Sequence, residues 1–583
     1  MVMVLINWLY IAVTSFITGY GILGLFARLL NYKIRHTISY FLAGLTVVTV
    51  YAQLYSLFSG VGVAANLLLL ILCCVIVFLY RKSLQVFWIE IRDKIQNEKW
   101  YIPALFFLIL LFAYGTSRGY MHFDTGLYHA QSIRWIEEYG VVPGLANIQA
   151  RFGYNSAAFV LTALYSMKDI LGQSLHTTAG YFALLSSVLT LDLFKTFVGK
   201  RMKPADFARI GMVFYLSVIF SQMVSPASDY YAQLLLFIVL ILWLDEDDYQ
   251  KETGAQNVAP YSLLCILIVL AVTIKFSVAV LLLLVIKPAV MLIKEKQYKN
   301  ISIYLLSGFL TALPFFIRNV LISGWLVYPF AGIDLFSVDW KVPKGQVQYD
   351  ATEIGVYGKG ITDVTKWDTP FSQWCPAWFV GLKPLEKLLV IMTVAALVVG
   401  AVYLLYLLIA ECKSVKRKSR VSAGCKPIWN TAFDFALVFA VLSVSALFWF
   451  FQAPLVRYGY AYITALPLIT FGYFICRMAE TEKVRMLGRY PHIIFCIVLA
   501  GFFLTRVKGF ADDILRTWKE PYYVAQMDYI DGEATTRIVD GVMFYVPTEN
   551  GQIGYNKFPS SLLVQPIELR GERIEDGFRQ ITE

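Results

Sequence analysis

The sequence predicts an all-α polytopic membrane protein of about fourteen transmembrane helices, with extracytoplasmic loops and a small extracytoplasmic tail at the C-terminus. Three observations carry this. The chain is 58% hydrophobic and 15% charged, whereas soluble domains carry about a quarter charged residues. Runs such as Leu67–Tyr80 and Leu388–Ala410 are continuously apolar and do not alternate as barrel strands would. Lipid offers no partner for a free N–H or C=O, so such runs span as helices. Finally, Lys and Arg gather in every second loop, as a positive-inside arrangement requires.

Taken in order, the spans lie near 5–26, 38–58, 62–80, 102–118, 176–197, 207–223, 230–244, 260–274, 276–293, 301–320, 384–410, 431–451, 460–478 and 491–505. Met1–Phe26 has no basic n-region and no small-residue cleavage site, so it reads as a span and not as a signal peptide. Arg28, its first positive charge, follows the apolar run and places the N-terminus outside. Alternation then assigns to the cytoplasm 27–37, 81–101, 198–206, 294–300, 411–430 and 477–490, all of them basic. The loop 245–259 is the exception, with Asp245, Glu246, Asp247 and Asp248. Asn155–Ile170 is apolar enough to cross, but counting it would put the basic 198–206 outside. It is therefore expected to lie on or partly in the outer leaflet. Segments 119–175, 321–383 and 506–583 remain outside, the last with a strand-like run Arg537–Val546. This describes a multi-pass protein of the cell inner (cytoplasmic) membrane with both termini extracytoplasmic.

The net charge of +10 sits in short loops and forms no stripe for a polyanion, so nucleic acid is not an expected partner. The eight cysteines do not suggest a disulfide framework: five lie in or beside apolar runs, Cys412 and Cys425 flank a basic loop, and Cys375 has no partner outside.

Ionisable groups near membrane depth need a partner, water or a task. The outer span ends hold Asp124 and His129, Asp229, Lys275, Arg318 with Asn319, and Arg457. Distant segments thus bring one or two charges each to the same face. On a helix beginning near Asp124, Tyr128 lies one turn away on the same side. Asp124 could act as a general base or only as an N-cap, and Asp229 likewise as a ligand or a cap for the helix at Tyr230. Lys275, Arg318 and Arg457 are phosphate ligands or side chains snorkelling to the interface. A divalent metal shared by His122, Asp124 and His129 stays open, and no cofactor is certain.

A carboxylate beside several cations at the lipid boundary suits a lipid-linked phosphate ester. The cations would hold the phosphate and the charge it develops on leaving. Asp124 would take the proton from an acceptor hydroxyl attacking the anomeric carbon, and a single base without a covalent intermediate implies inversion.

The Asp after a span, the Tyr four residues on and the amphipathic stretch Ala130–Tyr139 resemble the GT-C superfamily of membrane glycosyltransferases. His122–Gly144, Ser225–Asp229, Arg318–Gly324 with Tyr328-Pro329, Pro454–Gly459 and Leu569–Phe578 are more specifically similar to a bacterial family of GT-C-like membrane proteins. The resemblance implies a polyprenyl-phosphate- or pyrophosphate-linked sugar donor, a glycan or lipid acceptor and Asp124 as catalytic base. It also implies, through position, substrate-binding roles for Tyr128, His129, Asp229, Lys275, Arg318, Asn319 and Arg457. Residues 1–100 then look like a three-span addition before a GT-C-like core, 101–505, and an external segment, 506–583. Two departures stand out: the superfamily's frequent Asp-Glu pair is Asp124-Thr125 here, and three spans precede the Asp loop. A lipid-linked polysaccharide polymerase or ligase, a lipid-linked oligosaccharide flippase and a scaffold are the competing functions. A flippase calls for charges in mid-span and symmetry between halves, and neither is apparent.

Overall fold

A bundle of helices and an ordered cap make up the chain in the computed structural model, which describes residues 1–581 apart from 98, 200, 255, 419–427, 482–485 and 488. The side chains of 86–97, 411–418 and 428–431 are also outside the described set, and with them the basic loop 411–430 and Cys412 and Cys425. Among the described residues, twelve helices are long and apolar enough to cross a membrane. Two shorter apolar helices, Tyr101–Ser117 and Tyr261–Ile274, occupy the positions of the fourth and eighth expected spans. The protein is a polytopic, largely helical membrane protein.

Burial orders the helices. Ser228–Thr253 has 89% of its apolar window buried and forms the centre, while Pro384–Ala410 and Tyr490–Thr517, at 17% and 11%, form the periphery. Small residues set the closest helix contact. A Cβ on Gly19 would lie 1.7 Å from the Tyr40 carbonyl oxygen, and one on Gly44 would lie 1.6 Å from that of Ser15. The helices Val2–Leu30 and Ile38–Tyr55 therefore pack backbone to backbone, as small residues allow in a membrane. Tyr261–Ile274 and Phe276–Lys294 form a hairpin broken at Lys275, whose backbone is extended (φ −150°, ψ 117°). The Lys287 ammonium lies 4.9 Å from the Tyr261 ring, so the far ends of the two helices meet and they run antiparallel.

The two ends of the bundle differ. At the basic end, the loop 31–37, the loop 198–206 and the last turns of Ser228–Thr253 converge. Arg35 pairs with Glu246 at 2.7 Å, Arg209 with Asp245 at 2.5 Å, and Arg201 and Lys203 each with Asp248 at 2.8 Å. The acidic run that breaks the loop pattern is thus the counter-charge of its basic neighbours.

At the capped end, segments 119–175 and 321–383 and the tail share a core of their own that includes Trp135, Val142, Trp325, Phe544, Ile553 and Phe578. Ile553 N–H donates to the Gly126 carbonyl at 2.8 Å, Asn147 Nδ2 to that of Trp340 at 2.8 Å, and Arg570 reaches Asp339 at 2.8 Å. The first helix begins here too, with Met3 N–H donating to the Val524 carbonyl at 3.0 Å.

Three expectations need correction. The chain is not all-α, because the tail holds two small antiparallel sheets, β1–β2 (Ala534–Val539, Val542–Pro547) and β3–β4 (Ile567–Leu569, Phe578–Gln580). Arg537–Val546 is not one strand but a hairpin. Asp540 (φ 47°) and Gly541 (φ 82°) turn it, the positive pair a two-residue hairpin loop requires. Asn155–Ile170 is not one long helix laid on the surface. Its helix, Ala157–Leu164, has eight residues, all buried, too few to cross a bilayer. Ser156 accepts from Ala158 N–H at its start and donates to the Ile274 carbonyl at 2.8 Å. Apolarity marks burial in protein as readily as burial in lipid.

Candidate functional site

The site begins where Tyr101–Ser117 gives way to the cap. Asp124 precedes a five-residue π-turn, Thr125–His129, and its side chain makes no capping hydrogen bond. The N-cap alternative is therefore not what the carboxylate does, and the turn carrying Tyr128 is wider than the α-helical one expected. Instead, Asp124 Oδ2 accepts from Arg457 Nη2 at 2.6 Å. Arg457 follows the Pro454 turn as the second residue of Val456–Ala479. Its carbonyl accepts from Gln233 Nε2 at 2.7 Å, and Gln233 Oε1 accepts from Ala461 N–H at 2.9 Å. Gln233, one turn beyond Asp229 and just before the apolar run Leu234–Leu244, thereby fixes Arg457 against the central helix.

Beside this pair lies a second, Lys275 with Asp229. Asp229 sits in the first turn of Ser228–Thr253, where the helix dipole favours a carboxylate. Tyr458 separates the pairs: its ring is 4.3 Å from the Lys275 ammonium, and its hydroxyl accepts from Arg457 Nη2 at 3.1 Å. The side chains of Asp124, Arg457, Asp229 and Lys275 are 18%, 33%, 12% and 25% exposed, so the cluster is reachable without being loosely solvated. Arg457 Nε is buried with no hydrogen-bond partner among the described residues.

Three aromatic groups line the site. His122 presents Nε2 to the Arg457 guanidinium and Nδ1 to the Asp124 N–H at 3.1 Å. Burial first, and Arg457 second, push its pKa down, which favours the neutral ring, and a neutral ring accepts from only one of these two donors. His129 is buried, with Nδ1 3.2 Å from Thr125 Oγ1 and its ring 5.2 Å from Phe159. Burial holds its pKa well below the usual histidine range. Tyr128 packs edge-on to Tyr154 at 5.6 Å, and burial raises its hydroxyl pKa well above the usual value. Among the described residues, no three His, Cys, Asp or Glu side chains form a metal-ligating group.

Asp124, Tyr128, His129, Asp229, Lys275 and Arg457 thus come together from four separate segments. Arg318 and Asn319 do not join them. Arg318 donates to Asn155 Oδ1 at 3.1 Å and to Ser56 Oγ at 2.5 Å, and makes no ion pair among the described residues. Asn319 accepts from Asn155 at 3.0 Å and donates to the Leu326 carbonyl at 2.8 Å. Both lash the cap to Tyr298–Ser323. Tyr458 and Gln233 are site members that position at a span end did not single out, while His122, singled out as a possible metal ligand, enters as a partner of Arg457 and the Asp124 N–H. The signal for the first two was proximity: they lie close to Arg457 and Asp229 in the chain.

The family whose description is "Domain of unknown function (DUF8201)" matches residues 1–464, most of the chain, and the protein belongs to it. No curated protein matches, and no solved structure does.

Proposed function

We propose that this member of the family is an inverting GT-C-type glycosyltransferase, drawing on a polyprenyl-(pyro)phosphate-linked sugar at the outer face of the inner membrane to build or modify a cell-surface glycan. In this reading the two shorter apolar helices also span, which makes fourteen crossings and leaves both termini outside. The observation that carries the proposal is the paired cluster, Asp124–Arg457 beside Lys275–Asp229, assembled at the capped end where lipid meets the cap.

Two carboxylates balance two cations, so the resting cluster is neutral and closed on itself. A phosphate ester offers Arg457 and Lys275 a better-matched anion, since guanidinium and phosphate form paired charge-assisted hydrogen bonds. As the cations turn to the phosphate, the Asp124 carboxylate is freed to accept a proton. The acceptor hydroxyl then attacks the anomeric carbon. Its O–C bond forms, the bond from that carbon to the phosphate oxygen breaks, the proton passes to Asp124, and the polyprenyl (pyro)phosphate leaves with the electron pair under Arg457 and Lys275. One displacement inverts the anomeric centre.

The test is purified protein with a panel of polyprenyl-phosphate and polyprenyl-pyrophosphate sugars and glycan or lipid acceptors, read by release of polyprenyl (pyro)phosphate and by product stereochemistry. Inverted product with at least one donor is expected. Transfer of labelled lipid across a liposome bilayer, with its glycan unchanged, would show a flippase instead.

A further inference from the structure

We infer that a groove among the N-terminal helices is a binding site for a phospholipid with an anionic head. It runs along the first helix from Leu5 and Trp8 to a charged mouth at the basic end, and none of the residues around Asp124 line it. The groove has a volume of about 1180 Å³, above the roughly 300–1,000 Å³ of ordinary small-molecule pockets. Its walls come from Val2–Leu30, Ile38–Tyr55, Val63–Gln85, Tyr101–Ser117 and Thr178–Val198. Most of the lining is apolar, including Trp8, Phe16, Phe41, Leu105 and Leu185. Leu9, Val13 and Ile102, at 67%, 46% and 50% exposed, open it toward the apolar surface of the bundle.

The charged lining is confined to one end: Arg35, His36, Arg81, Asp192 and Lys195. Three permanent cations there face one carboxylate. Arg35 is paired with Glu246 at 2.7 Å and Lys195 with Asp192 at 2.8 Å. Arg81 is exposed and, among the described residues, makes no ion pair; the Phe78 ring lies 5.3 Å from its guanidinium. A second cavity of about 730 Å³ shares Arg35, His36, Asp192 and Lys195, but Asp206, Asp245, Glu246 and Glu252 also line it, so an anionic head is held at the mouth, beside Arg81, and not beyond it. An apolar trough with a cationic mouth matches a lipid tail and a phosphate head. Tails alone confer little preference inside a membrane, so selection falls to the charges, as in basic pockets between spans.

Native mass spectrometry of the purified protein tests this, with phosphatidylglycerol and phosphatidylcholine of identical chains. Phosphatidylglycerol should be retained at least about five-fold over phosphatidylcholine, and Arg81→Gln should remove about five-fold of that preference. Val13→Trp, at a half-exposed groove position, should lower retention of both lipids. Equal retention of the two lipids, unchanged retention in Val13→Trp, or full displacement by equimolar glycerol phosphate would each overturn the site.

Discussion

Both ends of the bundle concentrate ion pairs, yet they are built for different purposes. At the basic end, Arg209 is almost fully buried and faces Asp192, Asp206 and Asp245 at 3.5, 3.2 and 2.5 Å. The charges around Arg209 answer neighbours brought close by helix packing. At the capped end, two pairs stand side by side, partly exposed and separated by Tyr458, with Arg457 Nε left unpartnered among the described residues. Charge density alone therefore does not mark a site. Matched, buried charges hold helices together, whereas accessible pairs with spare donors can exchange partners.

The largest effect should separate the ends by activity. Asp124→Asn keeps the fold and lowers turnover by about 10²–10⁴-fold, the usual worth of a general base. At the other end, Arg209→Met strands carboxylates and should destabilise by about 3–5 kcal/mol. Thermal unfolding in detergent would show it, with turnover per folded molecule unchanged. Next, Lys275→Gln should raise the donor KM by about ten-fold or more, the cost of one charge-assisted phosphate contact. Arg318→Gln should lower stability and leave that KM as it was.

A pH effect belongs to the cap. Burial raises the Asp350 carboxyl from its usual 3.8 to about 6, although Tyr154 donates to it at 2.8 Å. The folded protein therefore holds this proton over a range where the unfolded chain has lost it. Stability should fall as pH rises from about 4 to about 6 and then level off, and Asp350→Asn should flatten that slope. The smallest change is Ser156→Ala, which removes a helix cap together with the hydrogen bond to the Ile274 carbonyl and should cost about 1–2 kcal/mol without altering the basic end.

Much of this was legible in the sequence. Helices announce themselves because lipid requires long apolar runs, and Asp124, Asp229, Lys275 and Arg457 announce themselves as charges at span ends. Arg318 sends the same signal for another reason: Asn155 and Ser56, far away in the chain, give it neutral partners that no local pattern reveals. The Asp540-Gly541 turn sits within a β-prone run, and its hairpin shows only when that dipeptide is given weight. Ala157–Leu164 looks like a membrane segment because hydrophobicity does not record which surroundings are apolar.

The central claim is that residues from distant segments act as one unit, and single-turnover rates in a double-mutant cycle of Asp124→Asn and Lys275→Gln measure that most directly. The account predicts strong non-additivity, with the double variant within about three-fold of Asp124→Asn alone. Losses that multiply would mean that the two groups work independently and would contradict it.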